Sequence, residues 1–178
     1  NGRDQRDDQT LFLRDLHTLT PEAARELAAW PGLELRLDGL TSLSPEVAKI
    51  LARREPGVLS LDGLTSLSPA AAAALATWET GWRPCTEERQ HDHTYTQAGQ
   101  LLLGGLASLN AETAKALVRW RGESLVLTGL VVPVDLATAR ILDSWPGDVL
   151  QLGPWGTTPR HVDPKVQRIL DRATTSSP

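Results

Sequence analysis

The sequence predicts an α/β protein: a solenoid of about six strand-turn-helix units, with a parallel sheet and helices on the outer face. Three observations carry this expectation. The phrase LDGLTSLSPEVAKILA at 37–52 returns as LDGLTSLSPAAAAALA at 61–76, an offset of 61 − 37 = 24. Two marker series keep that step. Leu16, Leu40, Leu64, Leu106 and Leu130 are spaced 24, 24, 42 and 24, while Trp30, Arg54, Trp78, Trp120 and Trp145 are spaced 24, 24, 42 and 25. Within each unit the apolar period changes from 2 to about 3.6, which is the change from strand to helix.

Taken in order, unit one opens with Leu11-Phe12-Leu13 and starts its helix at Thr20-Pro21-Glu22. Unit two shows the pattern most fully. Leu33-Glu34-Leu35-Arg36-Leu37 alternates apolar and polar residues as a strand with one buried face does. From Pro45 to Arg54, Val47, Ala48, Ile50 and Leu51 then fall at helical spacing. Ser44 can accept from free amide hydrogens at the helix start, and Pro45 fits the first helical position because its missing donor would be unpaired there. Unit three repeats this with Ser68-Pro69, and unit four uses Asn110 with Glu112. The 42-residue step exceeds 24 by 18, so an insertion at about 82–99 precedes the strand of unit four. Unit five carries Leu130 and Trp145, and a degenerate sixth unit runs from Val149 through Leu152 to Val166, Ile169 and Leu170. Gly32, Gly57, Gly81, Gly122 and Gly147 follow the helices and are expected to close them in the left-handed conformation. The chain thus divides into a polar, mobile arm at 1–9, one solenoid at 10–172 and a mobile tail at 173–178. The last helix, Pro164 to Arg172, is expected to shield one end of the core. Little precedes unit one to cover the other, so end-to-end self-association is an expected possibility.

Composition removes several classes of function. With 178 residues, 40 % hydrophobic and 22 % charged, the chain suits one soluble domain. A net charge of −4 with scattered Lys and Arg gives no footprint for nucleic acid. No apolar run approaches the roughly 20 residues that span a bilayer. The single cysteine, Cys85, leaves no internal disulfide, and the absence of Met fits a processed or excised chain.

The core Leu35-Leu37-Leu40-Leu43, repeated as Leu59-Leu61-Leu64-Leu67, resembles a bacterial leucine-rich repeat. The phrase Leu-Asp-Gly-Leu-Thr-Ser-Leu-Ser-Pro-Glu is similar to 24-residue repeats in exported or envelope proteins of large-genome bacteria such as planctomycetes. The resemblance covers nearly the whole chain, and it implies an exported location and ligand or partner binding more often than catalysis. One departure stands out. Leu40, Leu64, Leu106 and Leu130 occupy the place of the Asn whose side-chain amide bridges neighbouring turns in that family, so the turns here need another source of hydrogen bonds.

The polar-facing strand positions form two columns across the units. One reads Phe12, Arg36, Ser60, Leu102, Val126 and Gln151; the other reads Arg14, Asp38, Asp62, Gly104, Thr128 and Gly153. The early units present Arg14, Arg36, Asp38 and Asp62, and the later ones Leu102 and Val126 beside Thr128. An apolar stretch on an otherwise polar face is either a partner site or a patch covered by the insertion. Four of the six Trp share one repeat position, where rings filling the wedge between helices are the expected arrangement. Arg54 takes that place in unit two and is expected to lie against a neighbouring ring. Trp82 and Trp155 stand outside the column as further contact candidates.

Chemistry is sought in the insertion, which holds His91, His93 and Cys85. Extended backbone would put both imidazoles on one face, as a divalent metal requires, with Glu87 or Glu88 as further ligands. A polar loop that contacts a partner is the competing reading. Cys85 with His91 lacks any recognisable oxyanion donor or orienting acid, and Gly104-Gly105 fills a repeat turn rather than opening a phosphate loop. His161 and Asp163 belong to the start of the last helix. The sequence therefore points to a noncatalytic interaction module without a cofactor, recognising a protein or surface polymer through its strand face and insertion. The alternatives are a structural or accessory subunit of an envelope or surface assembly and a metal-dependent module built on the insertion.

Overall fold

The computed structural model describes residues 10–80, 99–130, 136–147 and 149–152. The arm at 1–9, insertion residues 82–98, the expected helix at 164–172 and the tail lie outside them. The elements alternate in chain order: β1 (Thr10–Phe12), α1 (Pro21–Ala29), β2 (Glu34–Arg36), α2 (Pro45–Leu51), β3 (Val58–Ser60), α3 (Pro69–Leu75), β4 (Gln100–Leu102), α4 (Ala111–Leu117), β5 (Ser124–Leu127), α5 (Leu136–Asp143) and β6 (Val149–Leu152). The six strands form one parallel sheet in the order β1-β2-β3-β4-β5-β6. The helices form a second row in the same order, each packed on the next. Each helix or strand buries its apolar side only because the neighbouring unit supplies the rest of the core.

The helix starts behave as their residue types require. Thr20, Ser44, Ser68 and Asn110 each accept from the backbone N–H three residues on, at 3.3, 3.2, 3.1 and 2.8 Å. The stops differ from the expectation. Helix α2 ends at Leu51 rather than reaching Arg54, and the last turn tightens, with the Arg54 N–H donating to the Leu51 carbonyl at 3.1 Å. Trp30, Trp78, Trp120 and Trp145 make the same bond to the Leu three residues earlier. Gly32, Gly57, Gly122 and Gly147 do not adopt the left-handed conformation. A Cβ on Gly32, Gly122 or Gly147 would collide with the indole ring two residues earlier, so those glycines make room for the ring.

The core is a lattice of leucines. Leu35, Leu59, Leu101, Leu125 and Leu127 on the strands, Leu37, Leu61 and Leu103 just beyond them, and Leu40, Leu64 and Leu106 in the turns are fully buried. Each contributes about 1.5–3 kcal/mol relative to exposure. The Leu-x-Gly-Leu turns close with a hydrogen bond from Leu40 N–H to the Leu37 carbonyl at 3.1 Å, and likewise from Leu64, Leu106 and Leu130. Their glycine is required by close approach. A Cβ on Gly39, Gly63, Gly105 or Gly129 would run into the backbone carbonyl of Arg14, Asp38, Asp62 or Gly104 in the preceding turn. Unit one has Asp15 at this position, and Asp15 is exposed.

The insertion leaves the lattice intact. Gln100 N–H donates to the Gly57 carbonyl at 2.8 Å, as Val58 N–H does to Leu33, and β4 pairs with β3 in the common register. Removing residues 82–99 joins Gly81 to Gln100, so that Trp-Glu-Thr-Gly-Gln-Leu-Leu-Leu matches the Arg-Glu-Pro-Gly-Val-Leu-Ser-Leu of unit two. The excised chain is expected to fold, with one cooperative thermal transition. Loss of that transition would show that the insertion is part of the core.

Candidate functional site

Parallel pairing in a constant register places Phe12, Arg36, Ser60, Leu102, Val126 and Gln151 side by side across the six strands. The expected first column is therefore a real row. Leu102 and Val126 are partly exposed and Ser60 is buried, while the largest apolar exposures fall on the edge strands, at Phe12 (51 %) and Val149 (43 %). Alternation along β6 puts Val149 on the face of Gln151.

The second column has a different role from a row of free charges. The Asp38 carboxylate accepts from the Ser60 hydroxyl at 2.5 Å and from the Asp62 N–H at 3.3 Å, and the Asp62 carboxylate accepts from the Gly104 N–H at 2.6 Å. This ladder supplies the inter-turn hydrogen bonds that Leu40 and Leu64 cannot, two residues earlier in the unit. It halts at Gly104, where an added Cβ would crowd Asp62 Oδ1 and Thr128 Oγ1. Asp38 and Asp62 thus hold turns together, and Thr128 stands beside the place where they stop.

At the opposite end Phe12 is gripped by two cations. The guanidinium carbon of Arg14 lies 5.6 Å and that of Arg36 5.3 Å from the ring centroid, within reach of the ring's negative face. Arg36 Nε donates to Glu34 Oε1 at 2.5 Å, and Thr10 Oγ1 donates to Glu34 Oε2 at 3.2 Å. Sequence reasoning omitted Glu34 and Thr10, although their two-residue offsets from Arg36 and Phe12 put them on the same face.

Trp78, Trp120 and Trp145 are buried and stacked, with centroids 5.8 and 5.9 Å apart and interplanar angles of 18° and 14°. The indole N–H groups of Trp78 and Trp145 point back along the array. Trp78 donates to the Arg54 carbonyl at 3.0 Å and Trp145 to the Trp120 carbonyl at 2.9 Å. Trp120, in the unit that follows the insertion, has no acceptor for its Nε1 among the described residues. Arg54 departs from the expected ring contact. Its guanidinium donates to the Val58 carbonyl at 2.8 Å and the Gly32 carbonyl at 2.9 Å, so it ties unit one to unit two through backbone. Burial pushes its pKa below the ordinary guanidinium value, and it remains a cation. At the exposed start of α1, Glu22 is held below the usual carboxylate range by its own backbone N–H and by Thr20.

Trp82, Trp155, Cys85, His91, His93, Gly153, His161 and Asp163 lie outside the described residues. Among the described residues no group of three or more His, Cys, Asp or Glu is placed to hold a metal, and no helix is long and apolar enough to cross a membrane. No family model, no curated protein and no solved structure matches the chain.

Proposed function

We propose that the chain is a leucine-rich-repeat-like solenoid acting as a noncatalytic interaction module, which recognises a protein or surface polymer through its strand face and its insertion. The observation that carries this reading is the in-register row from Phe12 to Gln151, charged and aromatic at one end, buried at Ser60 and apolar at Leu102 and Val126. An array of short parallel strands in one register offers many side chains at fixed spacing and so suits recognition of an extended partner. An exported location rests on the repeat resemblance alone.

Two positions in unit one weigh against the alternative of a subunit that stacks head to tail. A further unit added before β1 in the same register would press Asp15 against a backbone carbonyl, as the glycines at that position show. Helix position 113 faces the preceding unit, since the Thr113 hydroxyl donates to the Leu67 carbonyl at 3.2 Å. In unit two the corresponding Val47, and Ile50 one turn on, are buried, whereas unit one has exposed Ala23 and Glu26 there. A preceding unit would have to bury the Glu26 carboxylate where Ile50 lies in unit two.

Mild cross-linking in the source cells followed by capture of the chain tests the reading, with Leu102→Asp/Val126→Asp as the comparison after its fold is checked by circular dichroism. A defined partner is expected with the wild type and lost with the variant. Identical captures from both would rule out the apolar part of the strand face as the contact.

A further inference from the structure

Phe12 is the most exposed large apolar side chain among the described residues, and it sits in a unit whose other outer positions are written for solvent. Two guanidinium groups converge on its ring although like charges repel. Glu34 offsets one of them, through the Nε of Arg36. Arg14 has no carboxylate partner among the described residues. The nearby acids are committed elsewhere: Glu34 to Arg36 and Thr10, and Asp38 to Ser60 and the Asp62 backbone. Asp15, next in the chain, forms no ion pair among the described residues. Among the described residues the cluster thus sets two cations, only one of them paired, around an apolar ring, an arrangement that suits the planar fork of a carboxylate.

We propose that Phe12, Arg14 and Arg36 form the dock for an acidic side chain at one end of an extended protein segment whose other end lays apolar side chains on Leu102 and Val126. The proposal rests on the strand-face reading above and names the chemistry of its partner. Charge complementarity places the carboxylate at unit one, and the apolar half of the row, which a carboxylated polysaccharide would leave unused, favours a protein segment. Neighbouring strands lie about 4.8 Å apart, so the four steps from Phe12 to Val126 cover about 19 Å, or roughly six residues of extended chain.

Panning a random seven-residue peptide library on the full chain, then measuring the enriched peptides by fluorescence anisotropy, tests this. The expected motif has Asp or Glu at one end and apolar residues at the other. Arg14→Gln/Arg36→Gln is expected to weaken binding at least tenfold and to flatten its dependence on NaCl, and Phe12→Ala to weaken it severalfold. Enriched peptides without an acid, or binding within twofold of wild type in the double Arg variant, would overturn the dock. If such peptides still lose binding with Leu102→Asp, the strand-face reading survives without it. If no peptide is retained, or every strand-face variant binds as wild type, both fail. Retention of a carboxylated polysaccharide such as alginate in place of peptides would overturn the protein occupant.

Discussion

Trp120→Ala is expected to destabilise the chain by about 3–5 kcal/mol, the range for emptying a buried tryptophan site. Three features put this residue at the centre of the array. It is fully buried, it is stacked on Trp78 on one side and Trp145 on the other, and its backbone carbonyl accepts the indole N–H of Trp145. Its own Nε1 has no acceptor among the described residues, so the substitution breaks no side-chain hydrogen bond to any of them and the expected loss is packing. A cavity between two rings cannot collapse easily, because each ring is fixed by its own unit. For a chain of this length the change corresponds to a fall in Tm of roughly 6–20 °C. Urea unfolding followed by both tryptophan fluorescence and circular dichroism is the measurement, since agreement of the two probes also tests two-state behaviour. A loss below about 1 kcal/mol would mean that the indole column is not a structural spine.

Gly63→Ala is expected to cost roughly 1–3 kcal/mol, the range for overpacking a close-fitted site. The added Cβ meets the Asp38 carbonyl, which is backbone and cannot rotate away. Displacing that turn also disturbs the Asp38 carboxylate, which holds the Ser60 hydroxyl and the Asp62 N–H. Asp15→Ala serves as the control. It changes the same repeat position in unit one, where Asp is already accommodated and exposed, so its effect is expected to stay within about 0.5 kcal/mol. Paired thermal melts of the two variants decide the matter. Equal effects would show that the glycine is kept for backbone freedom rather than for the approach of one turn to the next.

The two predictions separate what local chemistry fixes from what stacking fixes. The strand pairings follow from the 24-residue step and two-residue alternation, and the caps from a hydroxyl or amide placed before Pro or Ala. The caps lie within one unit, and the pairings need only the repeat of that unit. The glycines after the helices illustrate the limit. Their position was legible, but the reason for Gly32, Gly122 and Gly147 was not, because the indole they accommodate fills that space only when the helix end tightens. Arg54 is similar: its place in the Trp column is written in the chain, whereas its bonds to Val58 and Gly32 depend on where two backbones meet.

The candidate site divides in the same way. The row from Phe12 to Gln151 was readable because strand side chains alternate and the register never slips. That Asp38 and Asp62 serve the turns was not readable, since the same Asp-Gly pair is compatible with a free surface charge. By itself, then, the sequence determined the unit, the order of strands and the faces on which residues lie, because these depend on periodicity and on chemistry within a few residues. Only the tertiary structure decided which carboxylates are spent between turns, why Gly is needed, and that Arg14 and Arg36 close on Phe12. Those depend on distances of a few ångströms between groups that stacking brings together from different units.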